Sequence, residues 1–374
     1  MIDMDRYKLF ETTEISGMKL RNRFVRSATW EGMADEEGRC TPELSELMVQ
    51  LARGGLGLII TSHAYVRSDG QAGPRQLGIY EDRLGENLRG MVQAVHQHGA
   101  AIALQISHAG YFSSGKLTGQ TPLAPSQVAE FAKSPRKEIT KKDIQGIITA
   151  FGQAAYRAKK AGFDAVQIHA AHGYLLGQFL SPAFNKRKDG YGGDLENRAK
   201  ILLEVLQEVR RAVGSQFPVM VKLNSDDYLN GGLHLEDSLQ VGMMLQQAGI
   251  DAIELSGGTM VSGDLNPSRS GILSEKKEAY FRNAGKAFKE NLDLPLILVG
   301  GIRSFHLAEQ LIQEGYADYI SMSRPFIREP HLINRWMSGD LRKASCLSDG
   351  KCWGPLMAGQ GIRCVVEEEI QKKG

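Results

Sequence analysis

The chain has 374 residues, of which 42% are hydrophobic and 24% charged, and its formal net charge is +2. This composition is typical of a globular protein and gives no reason to expect nucleic acid or an anionic membrane as a partner. No apolar run reaches the roughly 18 residues of a membrane span, and residues 1–10 lack the apolar core of a signal peptide. We therefore expect a cytoplasmic protein whose partner is a small molecule.

Eight short aliphatic runs alternate with helical patterns along most of the chain. Each run is rich in aliphatic residues, as expected for a strand that is buried on both faces. The runs cover residues 23–28, 56–62, 100–107, 164–169, 218–223, 251–255, 295–299 and 317–322. Apolar residues recur at helical spacing over residues 195–213, 235–248, 276–290 and 305–314.

The alternation predicts an α/β protein folded as a (β/α)8 TIM barrel, with eight parallel strands inside a ring of helices. A doubly wound open sheet is the alternative, but no G-x-G-x-x-G turn follows the first run. Residues 8–20 are expected to form a hairpin that closes the barrel floor, and residues 107–137 a long loop over its mouth. We divide the chain into a barrel domain at residues 1–340 and a C-terminal extension at residues 341–374 that carries a partial cysteine cluster.

The catalytic groups of such a barrel lie at the carboxyl ends of its strands, which selects candidates in chain order. Gln105 lies near the end of the third run. Its amide offers donors and an acceptor that suit the edge of a heterocycle such as a flavin pyrimidine ring. The alternative is a glutamine that only satisfies barrel backbone groups.

Two histidines and a tyrosine, His169, His172 and Tyr174, lie at the end of the fourth run. Imidazole N–H groups can hold a developing oxyanion, and a tyrosine hydroxyl can act as a general acid. The alternatives are a metal-binding pair and two surface histidines without a role. A metal-dependent lyase or hydrolase would need a further ligand at another strand end, where His108 and Asp226 are the few candidates. We assign no metal ligand.

Cationic and glycine-rich positions follow in the later runs. A buried Lys222 is costly unless it is paired, so it either stabilises the negative charge of a reduced flavin or pairs with an acid such as Glu254. Gly300 and Gly301 follow the seventh run, and Arg324 follows the eighth. These loops usually bind phosphate in this barrel, through exposed backbone N–H groups and a guanidinium group.

At these residues the sequence resembles the Old Yellow Enzyme family of FMN oxidoreductases, from about residue 9 to about residue 330. The strongest motif is IHAAHGYL at 168–175, which continues as QFLSP at 178–182, YGG at 191–193 and ENR at 196–198. Weaker support comes from Asn22-Arg23, from LQISHAG at 104–110 and from SGG at 256–258.

The resemblance implies an enzyme that binds FMN non-covalently and runs ping-pong chemistry. Hydride would pass from NADH or NADPH through flavin N5 to the activated C=C bond of an α,β-unsaturated carbonyl compound. By position, His169 and His172 would hold the substrate carbonyl oxygen, and Tyr174 would protonate the α-carbon. The residues implied in FMN binding are Ser27, Ala28, Thr29, His63, Gln105, Lys222, Gly300, Gly301, Ser323 and Arg324.

Several residues depart from the family pattern. Trp30 stands where many relatives have Cys or Thr, and we assign it to the substrate pocket. His63 replaces a small residue, commonly Ala, and Ser323 replaces Gly in the phosphate loop. Many relatives have Arg where Lys222 stands. These departures bear on substrate range and flavin potential more than on FMN binding.

Three cysteines, Cys346, Cys352 and Cys364, follow the barrel. Larger members of the family carry four cysteines here for a [4Fe–4S] cluster, and Asp349 stands where the second would be. Because cluster ligation normally needs four thiolates, a weakly bound cluster, a zinc ion and a relic without metal are all left open. Those members also carry a second flavin or nucleotide domain, which we do not expect because the sequence ends at Gly374.

Two other functions are left open. An FMN-dependent amine or N-methyl dehydrogenase is the main alternative, because Trp30 and His63 would suit a cation, although a donor at Tyr174 favours the reductase. A non-catalytic binding barrel is the other, and the intact set of His169, His172 and Tyr174 argues against it. Relatives are often dimers or tetramers, so a homo-oligomer is also left open.

Overall fold

A computed structural model describes residues 6–131 and 134–371 of the chain. Its strands are β1 Thr13–Ile15, β2 Met18–Leu20, β3 Phe24–Arg26, β4 Leu58–Tyr65, β5 Ala101–Ser107, β6 Leu123–Ala124, β7 Lys137–Glu138, β8 Ala165–Ala170, β9 Val219–Asn224, β10 Ala252–Ser256, β11 Leu296–Leu298 and β12 Tyr319–Met322. Its α-helices are α1 Pro42–Arg53, α2 Asp82–His96, α3 Gly115–Thr118, α4 Lys141–Ala161, α5 Leu175–Leu180, α6 Leu195–Val213, α7 Leu235–Gln247, α8 Arg282–Asn291, α9 Phe305–Gln313, α10 Arg324–Arg328, α11 Leu332–Met337, α12 Trp353–Met357 and α13 Val365–Gln371.

Eight parallel strands form a closed barrel in the order β3, β4, β5, β8, β9, β10, β11 and β12, and β12 pairs with β3 to close it. Each of these strands overlaps one of the predicted aliphatic runs. The longest, β4, is buried along its whole length, as expected for a strand between a filled interior and an outer layer of helices. The predicted (β/α)8 TIM barrel is therefore confirmed.

The floor of the barrel is closed by apolar side chains. The antiparallel hairpin of β1 and β2 places Ile15, Met18 and Leu20 in one buried cluster with inward-facing residues of the barrel strands. This confirms the hairpin predicted for residues 8–20. Because the floor is apolar and filled, polar groups inside the barrel can gather only towards the opposite end, where the carboxyl ends of the strands lie.

The outer helices begin and end at residues with clear physical reasons. The longest helix, α4, begins with a capping box, in which Thr140 accepts from the Asp143 N–H and the Asp143 carboxylate accepts from the Thr140 N–H. It ends at Gly162, whose φ of 97° lies in the left-handed region that favours glycine. None of the helices in the described ranges combines enough length with enough apolar character to cross a membrane.

Two predicted segments differ from the structure. The helix predicted for residues 276–290 starts only at Arg282, because Ala279 has a φ of 49° that interrupts the helical path. The Glu278 carboxylate turns away to accept from the backbone N–H groups of Arg303 and Ser304 at the start of α9. The loop predicted for residues 107–137 contains α3 and β6, which are too short to produce a readable periodicity.

The segment after α11 runs across the carboxyl ends of the strands. It is tied down by hydrogen bonds from the Ala344 N–H to the Arg303 carbonyl and from the Ile362 N–H to the Glu31 carbonyl. The Arg303 side chain also donates to the Cys346 carbonyl. The division of the chain at residue 340 stays a prediction.

Candidate active site

A layer of buried polar side chains lies inside the barrel near the carboxyl ends of the strands. The Glu254 carboxylate accepts hydrogen bonds from Ser27 Oγ at 2.7 Å, Ser321 Oγ at 2.8 Å and Gln167 Nε2 at 2.9 Å. Lys222 Nζ lies 3.1 Å from the same carboxylate and donates to Ser27 Oγ at 2.8 Å. The pairing of Lys222 with Glu254, one of the two roles expected for this lysine, is therefore present.

Gln105 extends this layer towards β5. Its Nε2 donates to Gln167 Oε1 at 2.7 Å, so the amide is oriented by the network rather than by backbone groups. Burial acts to raise the pKa of Glu254, but the Lys222 charge and three hydrogen bonds outweigh burial and lower that pKa. The carboxylate is therefore ionised at neutral pH, and the layer holds a fixed ion pair.

Three side chains gather where β8 ends. The ring centroid of His169 lies 5.1 Å from that of His172 and 4.9 Å from that of Tyr174. His172 has a φ of 59° and is held there by hydrogen bonds from its N–H to Asn224 Oδ1 and between its Nε2 and Ser256 Oγ at 2.8 Å. His169 Nδ1 is fully enclosed and has no hydrogen-bond partner among the described residues.

Burial sets the protonation of this group. Burial lowers the pKa of His169 and of His172 well below the usual value, and the neighbouring Lys222 charge lowers both further. Burial lowers the pKa of His63 to about 4 and raises the pKa of Tyr174. At neutral pH all three imidazoles are therefore neutral and the phenol is protonated, so each ring carries one N–H donor and the phenol one O–H donor.

His63 joins this group from β4. Its Nε2 lies 3.0 Å from the Tyr174 hydroxyl, and its ring is edge-on to His169 at 6.3 Å and to Trp30 at 6.5 Å between centroids. The sequence suggested His63 as an FMN neighbour and Trp30 as part of the substrate pocket. In the structure His63 is hydrogen-bonded to the Tyr174 hydroxyl, and the Trp30 ring packs beside the His63 ring.

Trp30 is packed between two loops and the C-terminal segment. The benzo edge of its indole faces Gly73, where an added Cβ would come within 2.4 Å of the Trp30 ring. Gly32 has a φ of 59°, and a Cβ there would come within 2.4 Å of Leu356 Cδ1 in α12. The Trp30 Nε1 donor is enclosed without a partner among the described residues. Leu356 therefore packs against the loop that carries Trp30.

The residues after β3 connect the polar layer around Glu254 to the loop after β12. Ser27 belongs to the Glu254 network, and Ala28 packs against the barrel interior. Thr29 Oγ1 lies 2.7 Å from Ser323 Oγ, the residue that follows β12. Of the expected FMN-binding residues, Ser27 and Thr29 thus link the polar layer to the loop that carries Ser323.

The second end of the site is a pair of buried guanidinium groups. Arg324 Nη2 donates to the Arg269 carbonyl at 2.8 Å, and Arg324 Nη1 is enclosed without a partner among the described residues. Arg269 Nε and Nη2 are likewise unpaired. The Arg269 guanidinium lies 4.5 Å from the centroid of Tyr280 and 4.9 Å from that of Tyr228.

Two glycines border this pair. Gly300 and Gly301 have φ values of 138° and 71°, and a Cβ at Gly301 would come within 2.8 Å of the Tyr280 ring. Three enclosed and unpaired N–H donors are costly unless an anion pairs with them, so the arrangement fits the phosphate of the expected FMN. Arg269 was missed from the sequence because it follows β10, outside the two loops that usually bind phosphate in this barrel.

The cysteines of the C-terminal segment form a separate feature. Cys346, Cys352 and Cys364 line one cavity together with Arg324 and Asp349. Burial raises the pKa of Cys352 and of Cys364. Within residues 6–131 and 134–371, no group of three or more His, Cys, Asp or Glu side chains is arranged to hold a metal ion. Metal analysis of the purified protein tests whether these thiols bind a cluster or zinc.

The sequence is similar to a family of flavin oxidoreductases and to several named enzymes. A sequence profile of the NADH:flavin oxidoreductase / NADH oxidase family matches residues 8–341. The chain is 34% identical over 374 residues to an NADH oxidase of Thermoanaerobacter brockii, covering 98% of this chain and 56% of the relative. It is 34% identical over 331 residues to an NADPH dehydrogenase of Clostridium acetobutylicum, covering 87% and 93%. The chain thus spans just over half the length of the NADH oxidase.

Three solved structures share the fold at 26% sequence identity. A 2-naphthoyl-CoA reductase with bound 2-naphthoyl-CoA has a TM-score of 0.90, covering 98% of this chain and 58% of that one. Histamine dehydrogenase from Rhizobium sp. 4-9 has a TM-score of 0.85, covering 96% and 52%. An old yellow enzyme homologue from Zymomonas mobilis has a TM-score of 0.77, covering 91% and 96%.

Proposed function

The chain belongs to the NADH:flavin oxidoreductase / NADH oxidase family, and on that premise we propose that it is an ene-reductase acting on α,β-unsaturated carbonyl compounds. FMN is the cofactor of this family, and a nicotinamide nucleotide is its reductant. When bound, FMN supplies the centre that accepts hydride from NAD(P)H and passes it to the activated C=C bond. The side chains of this protein would bind FMN and the substrate, orient them and protonate the substrate.

We assign the FMN site to residues on or after seven of the eight barrel strands. Gln105 and Lys222 would face the flavin ring, with the ion pair of Lys222 and Glu254 fixing the position of the ammonium group. The unpaired guanidinium donors of Arg269 and Arg324 would hold the phosphate. The remaining assigned residues are Ser27, Ala28, Thr29, His63, Gly300, Gly301 and Ser323.

The grouping of His169, His172 and Tyr174 supports the proposal more than any other observation. Neutral imidazole N–H groups in an enclosed site are suited to hold a carbonyl oxygen as negative charge develops on it. His169 is 4% exposed, and such burial strengthens hydrogen bonds to a bound molecule. His169 keeps an enclosed nitrogen free of other partners, as expected for a group that pairs with a ligand.

Tyr174 is assigned as the acid that protonates the α-carbon of the substrate. Burial raises its pKa, so the phenol keeps its proton at neutral pH and can give it up only to a strongly basic partner. A carbon that becomes electron-rich after hydride arrives at the β-position is such a partner. The ring centroids of Tyr174 and His169 are 4.9 Å apart, close enough for both side chains to act on one bound molecule.

The first test is the visible absorption spectrum of the purified protein, followed by anaerobic addition of NADH or NADPH. The proposal expects a flavin spectrum that bleaches on addition and recovers when an α,β-unsaturated ketone is added. A bound flavin that bleaches but does not recover with any activated alkene would contradict the ene-reductase assignment. Extra absorbance at long wavelength would indicate an iron–sulfur cluster at the cysteines.

Amine oxidation is the second candidate, because the chain is 26% identical to histamine dehydrogenase with a TM-score of 0.85. Trp30 could contact an ammonium group through its indole face. Against this, no carboxylate is among the described side chains that stack on or hydrogen-bond to His63, His169 and Tyr174. Flavin that is bleached by amines but not by NAD(P)H would favour this candidate.

A homo-oligomer and a cytoplasmic location also stay predictions.

A further inference from the structure

We propose that His63 is a proton-relay residue, which returns a proton from water to Tyr174 after Tyr174 has protonated the substrate. The inference rests on the proposed function, because it needs Tyr174 to lose a proton in each turnover. It concerns a residue that the resemblance placed only beside the flavin.

The hydrogen bond between the two side chains is the first support. His63 Nε2 lies 3.0 Å from the Tyr174 hydroxyl, and the described residues offer that hydroxyl no other hydrogen-bond partner. The ring centroids are 5.3 Å apart. The imidazole is fixed edge-on between Trp30 and His169, so its Nε2 stays directed at the phenol. His63 pairs with Gln105 of the neighbouring strand β5, directly after a shift in the strand register between Ile60 and His63.

The protonation state of His63 is the second support. Burial keeps its ring neutral at neutral pH, with one nitrogen protonated and the other bare. Such a ring can donate a proton from one nitrogen and accept a proton on the other. His63 remains about 8% exposed, so water can reach the edge of the ring, in contrast to the enclosed Nδ1 of His169.

The relay balances in two steps. First, the Tyr174 O–H bond breaks and a C–H bond forms at the α-carbon, which leaves a phenolate on Tyr174. Second, the His63 Nε2–H bond breaks and the Tyr174 O–H bond re-forms, while His63 Nδ1 takes a proton from water and leaves hydroxide, which bulk buffer neutralises. The ring is neutral before and after but ends as the Nδ1–H tautomer; loss of that proton to water and uptake of one at Nε2 restore the starting state before the next turnover. Because burial makes the phenolate costly, a fast return of the proton shortens the life of that state.

The experiment compares His63→Ala and His63→Gln with Tyr174→Phe. Glutamine keeps an N–H donor for the phenol but cannot pass a proton through its amide, so it separates positioning from relay. His306→Ala is the matched control, because His306 is an exposed histidine on α9. Stopped-flow absorbance follows the FMN-loaded variants through flavin reduction by NADPH, reoxidation by cyclohexenone and reoxidation by ferricyanide, which takes electrons without forming a C–H bond.

We expect both His63 variants to slow steady-state turnover of cyclohexenone about tenfold, less than the roughly 10²–10⁴ of a direct general acid, because His63 acts only after Tyr174 has given up its proton. Their solvent deuterium isotope effect should rise, and added imidazole should partly restore His63→Ala. His306→Ala should leave flavin reduction, reoxidation by ferricyanide and turnover of cyclohexenone within twofold of the parent, whereas the His63 variants should lose more in cyclohexenone turnover than in the other two steps. A cyclohexenone rate unchanged in both variants, or full activity in His63→Gln, would overturn the relay while leaving the proposed function intact.

A second measurement does not depend on turnover. Two-bond ¹H–¹⁵N spectra of the histidine rings report which nitrogen of His63 carries the proton, with His63→Gln giving the assignment. We expect the tautomer balance of His63 to change in Tyr174→Phe and to stay constant in Tyr156→Phe. An unchanged pattern would show that the two side chains do not share a proton in solution. If the parent reduces no activated alkene, the proposed function fails and the relay fails with it.

Discussion

Tyr174 is the residue on which the proposed chemistry depends most directly. In Tyr174→Phe the oxidative half-reaction with a weakly activated alkene should fall by about 100-fold or more, because a general acid contributes roughly 10²–10⁴ in rate. Flavin reduction by NAD(P)H needs no proton from the phenol and should be unchanged. Single-turnover absorbance measures both steps. Tyr156→Phe, an exposed tyrosine on α4, is the matched control. Unchanged alkene turnover in Tyr174→Phe would remove the residue from the mechanism.

Arg269 carries the strongest prediction about cofactor binding. Its guanidinium has two enclosed donors without partners, so Arg269→Gln should weaken FMN binding about tenfold or more, the loss expected for a hydrogen bond to a charged group. Riboflavin lacks the phosphate, and its binding should change little. Fluorescence titration of flavin-free protein with both ligands measures the difference, with the exposed Arg89→Gln as control. Equal losses for FMN and riboflavin would place Arg269 away from the phosphate.

At the scale of elements, the C-terminal segment forms a wall behind the loop that carries Trp30. Leu356 of α12 packs where Gly32 has no side chain, and the Ile362 N–H donates to the Glu31 carbonyl in the same loop. Arg75 from the loop after β4 donates to the Gly359 carbonyl at 2.9 Å. The loop that carries Trp30 is therefore held by the C-terminal segment, which is itself tied to the loop after β4.

The packing of this wall predicts that alanine substitutions at two neighbouring residues change the free energy of unfolding by different amounts. Leu356 is 1% exposed, so Leu356→Ala should lower the free energy of unfolding by about 2–5 kcal/mol, the usual cost of emptying a buried leucine site. Met357 is 69% exposed, and Met357→Ala should change it by less than about 0.5 kcal/mol. Urea unfolding measures both. Similar losses in the two variants would mean that α12 does not pack on the Trp30 loop.

At the scale of the whole molecule, buried neutral histidines link stability to pH. A histidine in an unfolded chain has a pKa of about 6.5, whereas burial lowers the pKa of His63 to about 4. Between these values the unfolded chain binds more protons, so the free energy of unfolding falls as the pH falls. His169 and His172 act in the same direction.

The pH dependence of the unfolding free energy should differ measurably between the parent and a His63 variant. Between pH 6.5 and pH 5, the flavin-free parent should lose about 2 kcal/mol more unfolding free energy than His63→Asn, since each pH unit contributes about 1.4 kcal/mol per histidine. Urea unfolding at the two pH values gives both losses, and only their difference matters. Parallel losses would indicate that His63 is protonated in the folded protein.

The sequence by itself determined the barrel and one end of the candidate site. Aliphatic runs buried on both faces have a local signature, and so do the glycine stops, the hairpin and the closely spaced His169, His172 and Tyr174 at a strand end. The main errors of the prediction from sequence were also local. The left-handed backbone of Ala279, which shifts the start of α8 to Arg282, has no signature in residue type.

Only the tertiary structure decided which distant groups meet. His63 and Tyr174 are 111 residues apart, Arg324 and Arg269 are 55 apart, and Ser27 and Glu254 are 227 apart. Periodicity tells which face of an element is buried, but closure of the barrel and the register of its strands set which loops become neighbours. The hydrogen bond of His63, the phosphate end with Arg269 and the packing of Leu356 behind Trp30 therefore became visible only in the folded chain.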